Sequence, residues 1–275
     1  MKKELLEVIF MSEKRKVALL LLQDGAKEME YLLASLKTTR QALLPQIRVL
    51  EEHHLVSHDR DTYELTTIGK LIVDKMSPLL GTVDALDADI EYWGSHILDF
   101  IPPHLLERIS EIGKCKTITP PIPETHHILR KFHESSKESG ILYSINTFFH
   151  PNFVELFDDL VQNDVEIHFI LSQDLLSNME DNYRKVFIEL IHTNKFNFYL
   201  HPLNLGFMSL GVSEHYLMFT SLRTDGFFDN NRILCSNPNA VQWGKELFEY
   251  YLKDSTPIIE LESIIEVVKS NSGEV

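Results

Sequence analysis

The sequence predicts a two-domain protein of mixed α+β and α/β class: an N-terminal winged helix-turn-helix over residues 1–80, a helical linker over 81–114, and a C-terminal α/β domain with an open mixed sheet over 115–275. Three observations predict it. Between Thr38 and Leu65 a short amphipathic segment runs straight into a small charged hairpin, as a recognition helix runs into a wing. From Gly140 onward, short apolar strands alternate with amphipathic segments, the pattern of βαβ units. Charge also divides the chain. Residues 1–80 hold 12 Lys or Arg and 12 Asp or Glu, which leaves 14 and 29 for the remainder, so the net charge of −15 belongs entirely to residues beyond 80.

Taken in order, Ser12 is a helix cap for a segment carrying Val17, Leu19, Leu20 and Leu22, and Gly25 is its left-handed stop. Met29, Leu32, Leu33 and Leu36 form a second apolar stripe, joined by Lys37-Thr38-Thr39 to a third in which Leu43, Ile47 and Leu50 recur at helical spacing. Thr38 or Thr39 supplies the hydroxyl cap. At about 100° per residue, Gln41, Pro45 and Arg48 point away from Leu43, with Arg40 on the flank. Leu55–His58 and Thr62–Leu65 are short strands around the turn-prone Asp59-Arg60-Asp61, which places His58 and Arg60 at the wing. The residues expected to meet double-stranded DNA are therefore Thr38, Thr39, Arg40, Gln41, Pro45, Arg48, His58 and Arg60. A further helix begins at Thr66 or Thr67, carries Ile68, Leu71, Ile72 and Met76, and is expected to end near Pro78.

In the linker, Val83, Leu86, Ile90, Trp93 and Ile97 are spaced by three or four and form a stripe that is either core or a dimerisation seam. Pro102-Pro103 opens another short helix, and the prolines between Thr117 and Glu124 predict an extended connector. In the second domain, Ile141–Ile145 and Val165–Leu171 read as strands flanking a helix that starts at His150-Pro151. A helix around Tyr183–Leu190 follows, then strands at Phe196–Leu200, near Met208–Val212, at Tyr216–Thr220 and near Ile233. Asn237 and Pro238 cap a final helix that carries Trp243, Leu247, Phe248 and Tyr251.

Catalytic signatures are missing: no phosphate-binding glycine loop, no Gly-x-Gly-x-x-Gly, no Gly-x-Ser-x-Gly and no His-Glu-x-x-His. His53-His54 with His58, and His126-His127 with His133, lack metal-ligand spacing, so neither metal nor cofactor is expected. Two cysteines, Cys115 and Cys235, argue against a disulfide framework and for a reducing compartment. The longest apolar run near the N-terminus, Val17–Leu22, is too short to span a bilayer, so a cytoplasmic protein without membrane association is expected.

Several stretches resemble a known family. Ala42-Leu43-Leu44-Pro45-Gln46-Ile47 with Leu50-Glu51, Tyr63-Glu64-Leu65-Thr66, Trp93 to Pro102, Phe149-His150-Pro151, and Asp225-Gly226-Phe227-Phe228-Asp229 through Trp243-Gly244-Lys245-Glu246-Leu247-Phe248 are similar to archaeal, methanogen-type winged-helix regulators. Their middle domain is named for a filament and methanogenesis regulator. The resemblance implies a transcriptional regulator, not an enzyme, whose second domain is phospholipase D-like but used for sensing. The His-x-Lys and following Asp of enzymes with that fold are absent. In the second domain, strand ends and the loops after them are where an effector is expected: Asn146, Phe149 and His150 after the first strand, and Arg223, Asp225 and Phe228 in a loop that Gly226 lets turn. A single winged helix reads few base pairs, so a homodimer on a pseudo-palindrome is expected. Two other classes fit less well: a degenerate phospholipase D-type hydrolase, and a protein-interaction module that does not bind DNA.

Overall fold

The computed structural model describes residues 4–121, 130–148, 152–177, 179, 181–203 and 205–259. The chain separates into two compact units, Met1–Gly81 and Thr82–Val275.

The first unit is a helical part with a small sheet. Its elements are α1 (Leu5–Phe10), α2 (Glu13–Leu21), β1 (Lys27–Glu28), α3 (Met29–Leu36), α4 (Arg40–Glu52), β2 (Val56–Asp59), β3 (Thr62–Leu65) and α5 (Thr67–Leu86), which continues beyond the unit. The strand order is β1-β3-β2, all antiparallel. Ser12 caps α2 by accepting from the Arg15 amide. Gly25 adopts φ 112°, and Lys37, at φ 47°, closes α3 in the left-handed region. Leu43, Ile47 and Leu50 of α4 are fully buried with Leu19, Met29, Leu32, Leu55 and Val73. The apolar stripes therefore meet in one core, because each recurs about once per turn and so lies along one side of its helix.

Three expectations need correction here. A helix, α1, precedes the three that were expected, and β1 adds a third strand. The hydroxyl of Thr39 makes no capping bond, although Thr39 holds the extended N-cap backbone of α4. The helix expected to end near Pro78 runs to Leu86. Pro78 lies on the exposed side of α5, whereas Val73, Met76 and Ala85 are buried, and their packing outweighs the interrupted ladder.

The second unit is built on an eight-stranded mixed sheet. Its helices are α6 (Ile90–Ser95), α7 (Pro103–Leu106), α8 (Arg130–Lys137), α9 (Phe153–Gln162), α10 (Gln173–Ser177), α11 (Asp181–Ile191) and α12 (Pro238–Leu252), with a 3-10 turn at Ile109–Ile112. Its strands are β4 (Lys116–Ile118), β5 (Ile141–Asn146), β6 (Glu166–Ser172), β7 (Phe196–His201), β8 (Ser209–Val212), β9 (Leu217–Thr220), β10 (Arg232–Cys235) and β11 (Thr256–Ile258). The order is β11-β7-β6-β5-β8-β9-β10-β4, with β5, β6 and β7 parallel and the other neighbours antiparallel.

Alternate residues of each strand serve opposite faces. On one face Ile145, Ile170, Leu210, Phe219 and Ile233 pack with α12, whose Trp243, Leu247 and Phe248 are fully buried. The indole Nε1 of Trp243 donates to the Leu105 carbonyl at 2.9 Å. On the other face Phe169, Leu171 and Leu234 pack with Phe153, Phe157 and Phe187. The linker stripe is divided rather than continuous: Asp89 starts α6 by accepting from the Tyr92 amide, Trp93 is buried, and Val83 and Ile90 are exposed. Phe100, Ile101, Leu105 and Ile112 belong to the same core as Trp93.

The cysteines overturn the expectation of free thiols, because Cys115 and Cys235 are disulfide-bonded. Their Cα atoms are 4.5 Å apart across 120 residues of sequence. Leu234 pairs with Lys116, so the antiparallel register sets the next pair, Cys235 and Cys115, directly opposite one another. That spacing is typical of a non-hydrogen-bonded antiparallel pair.

Candidate nucleic-acid interface and ligand cavity

The outward face of α4 is open. Gln41, Pro45 and Arg48 are exposed opposite the fully buried Leu43 and Ile47, with Arg40 and Thr39 exposed beside them and Thr38 half-buried. Two of the expected contact residues are tied to neighbouring carboxylates. Arg40 spans to the hairpin, with Nη1 3.2 Å from Asp61 Oδ2 and Nη2 against Oδ1, a two-pronged ion pair that keeps its charge high in affinity for protons. His58 contacts Glu51 through Nδ1 and stacks on Tyr63 with ring centroids 5.5 Å apart. Arg48 and Arg60 have no ion-pair partner among the described residues. Arg60 sits at the hairpin tip with φ 54°, a conformation that closes the two-residue turn between Asp59 and Thr62. Two arginines on separate elements are thus presented to solvent, and a third is braced between those elements.

In the second unit, a cavity of about 110 Å³ opens between the sheet and the helices α8 and α9. Phe132, Phe148, Phe153 and Phe157 supply much of its wall. Gly211 lines it for a steric reason: a Cβ there would lie 2.8 Å from the Phe132 ring. Of the residues expected from the sequence, Asn146 and Phe228 line this cavity. Arg223 and Asp225 do not. They pair with each other at 2.8 Å in an exposed loop whose Gly226 has φ 81°, and Arg223 Nη1 lies 3.9 Å from Asp229. Asp229 in turn contacts the buried His96 at 3.2 Å. Phe149 and His150 lie outside the described residues.

Sequence reasoning missed the polar lining that the other strand positions supply, Ser144, Ser209, Thr220 and Arg232, as well as His133, Ser136 and Asn230 from outside the strands. Each of the first four is unremarkable in its own strand and meets the others only through sheet register. Burial pulls the Arg232 guanidinium below its ordinary value, yet arginine remains charged at any physiological pH.

His133, at the cavity rim, donates from Nε2 to Asp159 at 2.7 Å, and Lys137 reaches the same carboxylate at 3.3 Å. The hydrogen bond from His133 and, against some burial, the Lys137 bond and charge hold the Asp159 carboxyl below the usual carboxylate range. A depressed carboxylate contributes stability above its unfolded-state value, and that contribution disappears as pH falls through the folded one. Thermal melts from pH 6 to pH 3 should therefore show the wild type losing stability faster than Asp159→Asn at the acid end. Parallel curves would remove this carboxylate from the acid response. The effect should be small, because Asp159 is partly open to water.

Among the described residues no group of His, Cys, Asp or Glu is arranged to hold a metal, and no helix is long and apolar enough to cross a membrane.

Residues 3–84 match the N-terminal domain of methanogenesis regulatory protein FilR1, and residues 125–254 match its middle domain. The chain is 26% identical over 262 residues to methanogenesis regulatory protein FilR1 of Methanothrix harundinacea (strain 6Ac), an alignment covering 92% of this chain. It spans 58% of that relative's length. Among solved structures, TrmBL2, described as an archaeal chromatin protein with a novel mode of DNA binding, overlaps 92% of this chain and 96% of its own at 15% identity and TM-score 0.42. Nuc, a phospholipase D family member from Salmonella typhimurium, overlaps 53% of this chain and 99% of its own at 8% identity and TM-score 0.41.

Proposed function

We propose that this chain, which belongs to the FilR1 regulatory family, is a sequence-specific DNA-binding transcriptional regulator whose second unit senses a small molecule. The first unit is read as a winged helix-turn-helix: α3 and α4 form the helix pair, α4 enters the major groove, and the β2–β3 hairpin is the wing. The observation that carries this reading is the open face of α4, where Gln41 and Arg48 stand exposed over a fully buried stripe and Arg40 is braced to the hairpin by Asp61. An exposed arginine on such a face suits guanine edges or phosphate, while Arg60 at the hairpin tip suits phosphate or a narrow minor groove.

With 12 basic and 12 acidic residues in positions 1–80, bulk attraction to DNA is weak, so binding depends on a few placed cations and its salt slope is shallow. A homodimer supplies the second reading head. Ile68, Leu71 and Leu79, exposed along α5, give it apolar surface to bury. The cavity of the second unit is the effector site, and an effector shifts DNA affinity only as far as it prefers one of two states of the protein. The role is regulatory rather than enzymatic.

The test is fluorescence anisotropy on duplex from the protein's own upstream region. Arg48→Ala should weaken binding about tenfold or more, as loss of one good base contact does. Arg60→Ala should weaken it less and should lower the salt slope by about one. Binding indifferent to both substitutions would defeat the assignment of α4 and the hairpin to DNA.

A further inference from the structure

We infer that Asp61 is a specificity-determining residue: its carboxylate grips one end of the Arg40 guanidinium, so that Arg40 is withheld from phosphates and offers its remaining edge to a single guanine. The inference rests on the reading of α4 and the hairpin as the DNA-reading surface and assigns one contact on it.

Arg40 opens α4, and Asp61 lies in the turn between β2 and β3. Arg40 Nη1 lies 3.2 Å from Asp61 Oδ2, and Nη2 donates to Oδ1. The fork therefore uses the end of the guanidinium that carries both Nη atoms. The Nε–H and the outer Nη–H beside it lie outside the fork and form a second two-donor edge. Both side chains are about half exposed, so that edge is open to a partner from solvent.

The grip is anchored on both sides. Arg40 stands at the first position of α4, and the Asp61 backbone is held because its carbonyl accepts from the Met29 amide at 3.0 Å. Asp59 and Thr62 pair across the turn. A second link, from Glu51 near the other end of α4 to His58 of β2, repeats the connection between helix and hairpin. The Arg40 head group thus has one preferred place, and much of the ordering that a base contact demands is done before DNA arrives.

Charge points the same way. Asp61 and Glu30 both act on Arg40 electrostatically, which offsets its positive charge. An offset cation gains little from a phosphate, and a phosphate near Asp61 is repelled. Sequence-independent binding is almost wholly phosphate attraction, so this carboxylate weakens the wrong duplexes most. Guanine O6 and N7 are neutral acceptors that one guanidinium edge meets together, and they do not compete with Asp61 for the charge.

The experiment is fluorescence anisotropy on the full chain at several salt concentrations. The duplexes are the upstream region, a scramble of equal length and composition, and upstream duplexes with each G·C pair changed in turn to A·T. Asp61→Asn should bind the scramble about threefold more tightly than the wild type does, with a salt slope steeper by about one, because Arg40 is released to a phosphate. Its preference for the upstream duplex should fall by about the same factor. The wild type should lose about tenfold at one G·C position where Asp61→Asn loses almost nothing. Asp61→Glu, which keeps the carboxylate, should restore the wild-type slope. Should circular dichroism show Asp61→Asn unfolded, Arg40→Lys, which keeps the charge without the planar edge, should lose that same position and bind the scramble at least as tightly as the wild type. An unchanged slope in Asp61→Asn, weaker binding of both duplexes, or equal sensitivity of the two proteins at every G·C position would overturn the inference. No binding of DNA by the wild type would overturn the DNA-reading assignment and this inference with it. Selective binding by the wild type that Asp61→Asn leaves unaltered would overturn this inference alone.

Discussion

Gly69→Ala is expected to unfold the first unit and to abolish DNA binding with it. In an ordinary helix this substitution gains about 1 kcal/mol. Here a Cβ would lie 2.0 Å from the Leu55 carbonyl oxygen, a backbone atom. That carbonyl accepts from the Thr66 amide, and the Leu55 amide donates to the Leu50 carbonyl, so Leu55 is held at both its backbone groups and cannot yield without breaking the joint between α4, the hairpin and α5. The Thr66 hydroxyl closes the same joint, accepting from the Gly69 amide and donating to the His54 carbonyl. Overpacking against a fixed backbone reverses the usual gain and costs about 3 kcal/mol or more. Circular dichroism and thermal melting of the variant read this directly. A melting temperature equal to or above the wild type's would mean that the joint relaxes.

Reduction of the Cys115–Cys235 disulfide should destabilise the second unit by about 4–5 kcal/mol, the loop-closure value for a cross-link spanning 120 residues. For a unit of this size that is a fall of roughly 10 °C in Tm. The bond joins β4, at the sheet edge, to β10, so its loss frees the edge strand first. Differential scanning calorimetry with and without a phosphine reductant should show the fall in the wild type and none in the Cys115→Ala Cys235→Ala double variant. An unchanged transition, with both thiols shown to be free, would mean that the strand pairing alone carries the edge.

Local signals were legible in the sequence. The stripe Leu43-Ile47-Leu50, the Ser12 cap, the left-handed Gly25 and the Asn237-Pro238 start of α12 depend on neighbours within a few residues, and each appears in the structure as its spacing implies. What the sequence concealed depends on chains meeting from far apart. Cys115 and Cys235 become opposite only because β4 closes the sheet beside β10. Ser209, Thr220 and Arg232 join Asn146 only through register across four strands. Pro78 read as a helix end because the rule for proline is local, and burial of Val73, Met76 and Ala85 outweighs it. Arg40 on the helix flank and His58 at the wing read as open positions, yet Asp61 and Glu51 lie close enough in the folded unit to engage them. Of the second-unit residues singled out in the sequence, Asn146 and Phe228 line the cavity, whereas Arg223 and Asp225 pair with each other in their exposed loop.

The central claim is that α4 reads DNA sequence, and anisotropy titrations of the wild-type protein with two labelled duplexes test it most directly. One carries the protein's own upstream region and the other is a scrambled duplex of equal length and composition. The account predicts saturable binding to the upstream duplex, at least tenfold preference over the scrambled one, and loss of that preference in Arg48→Ala. Equal affinity for both duplexes, or no binding even at low salt, would contradict it.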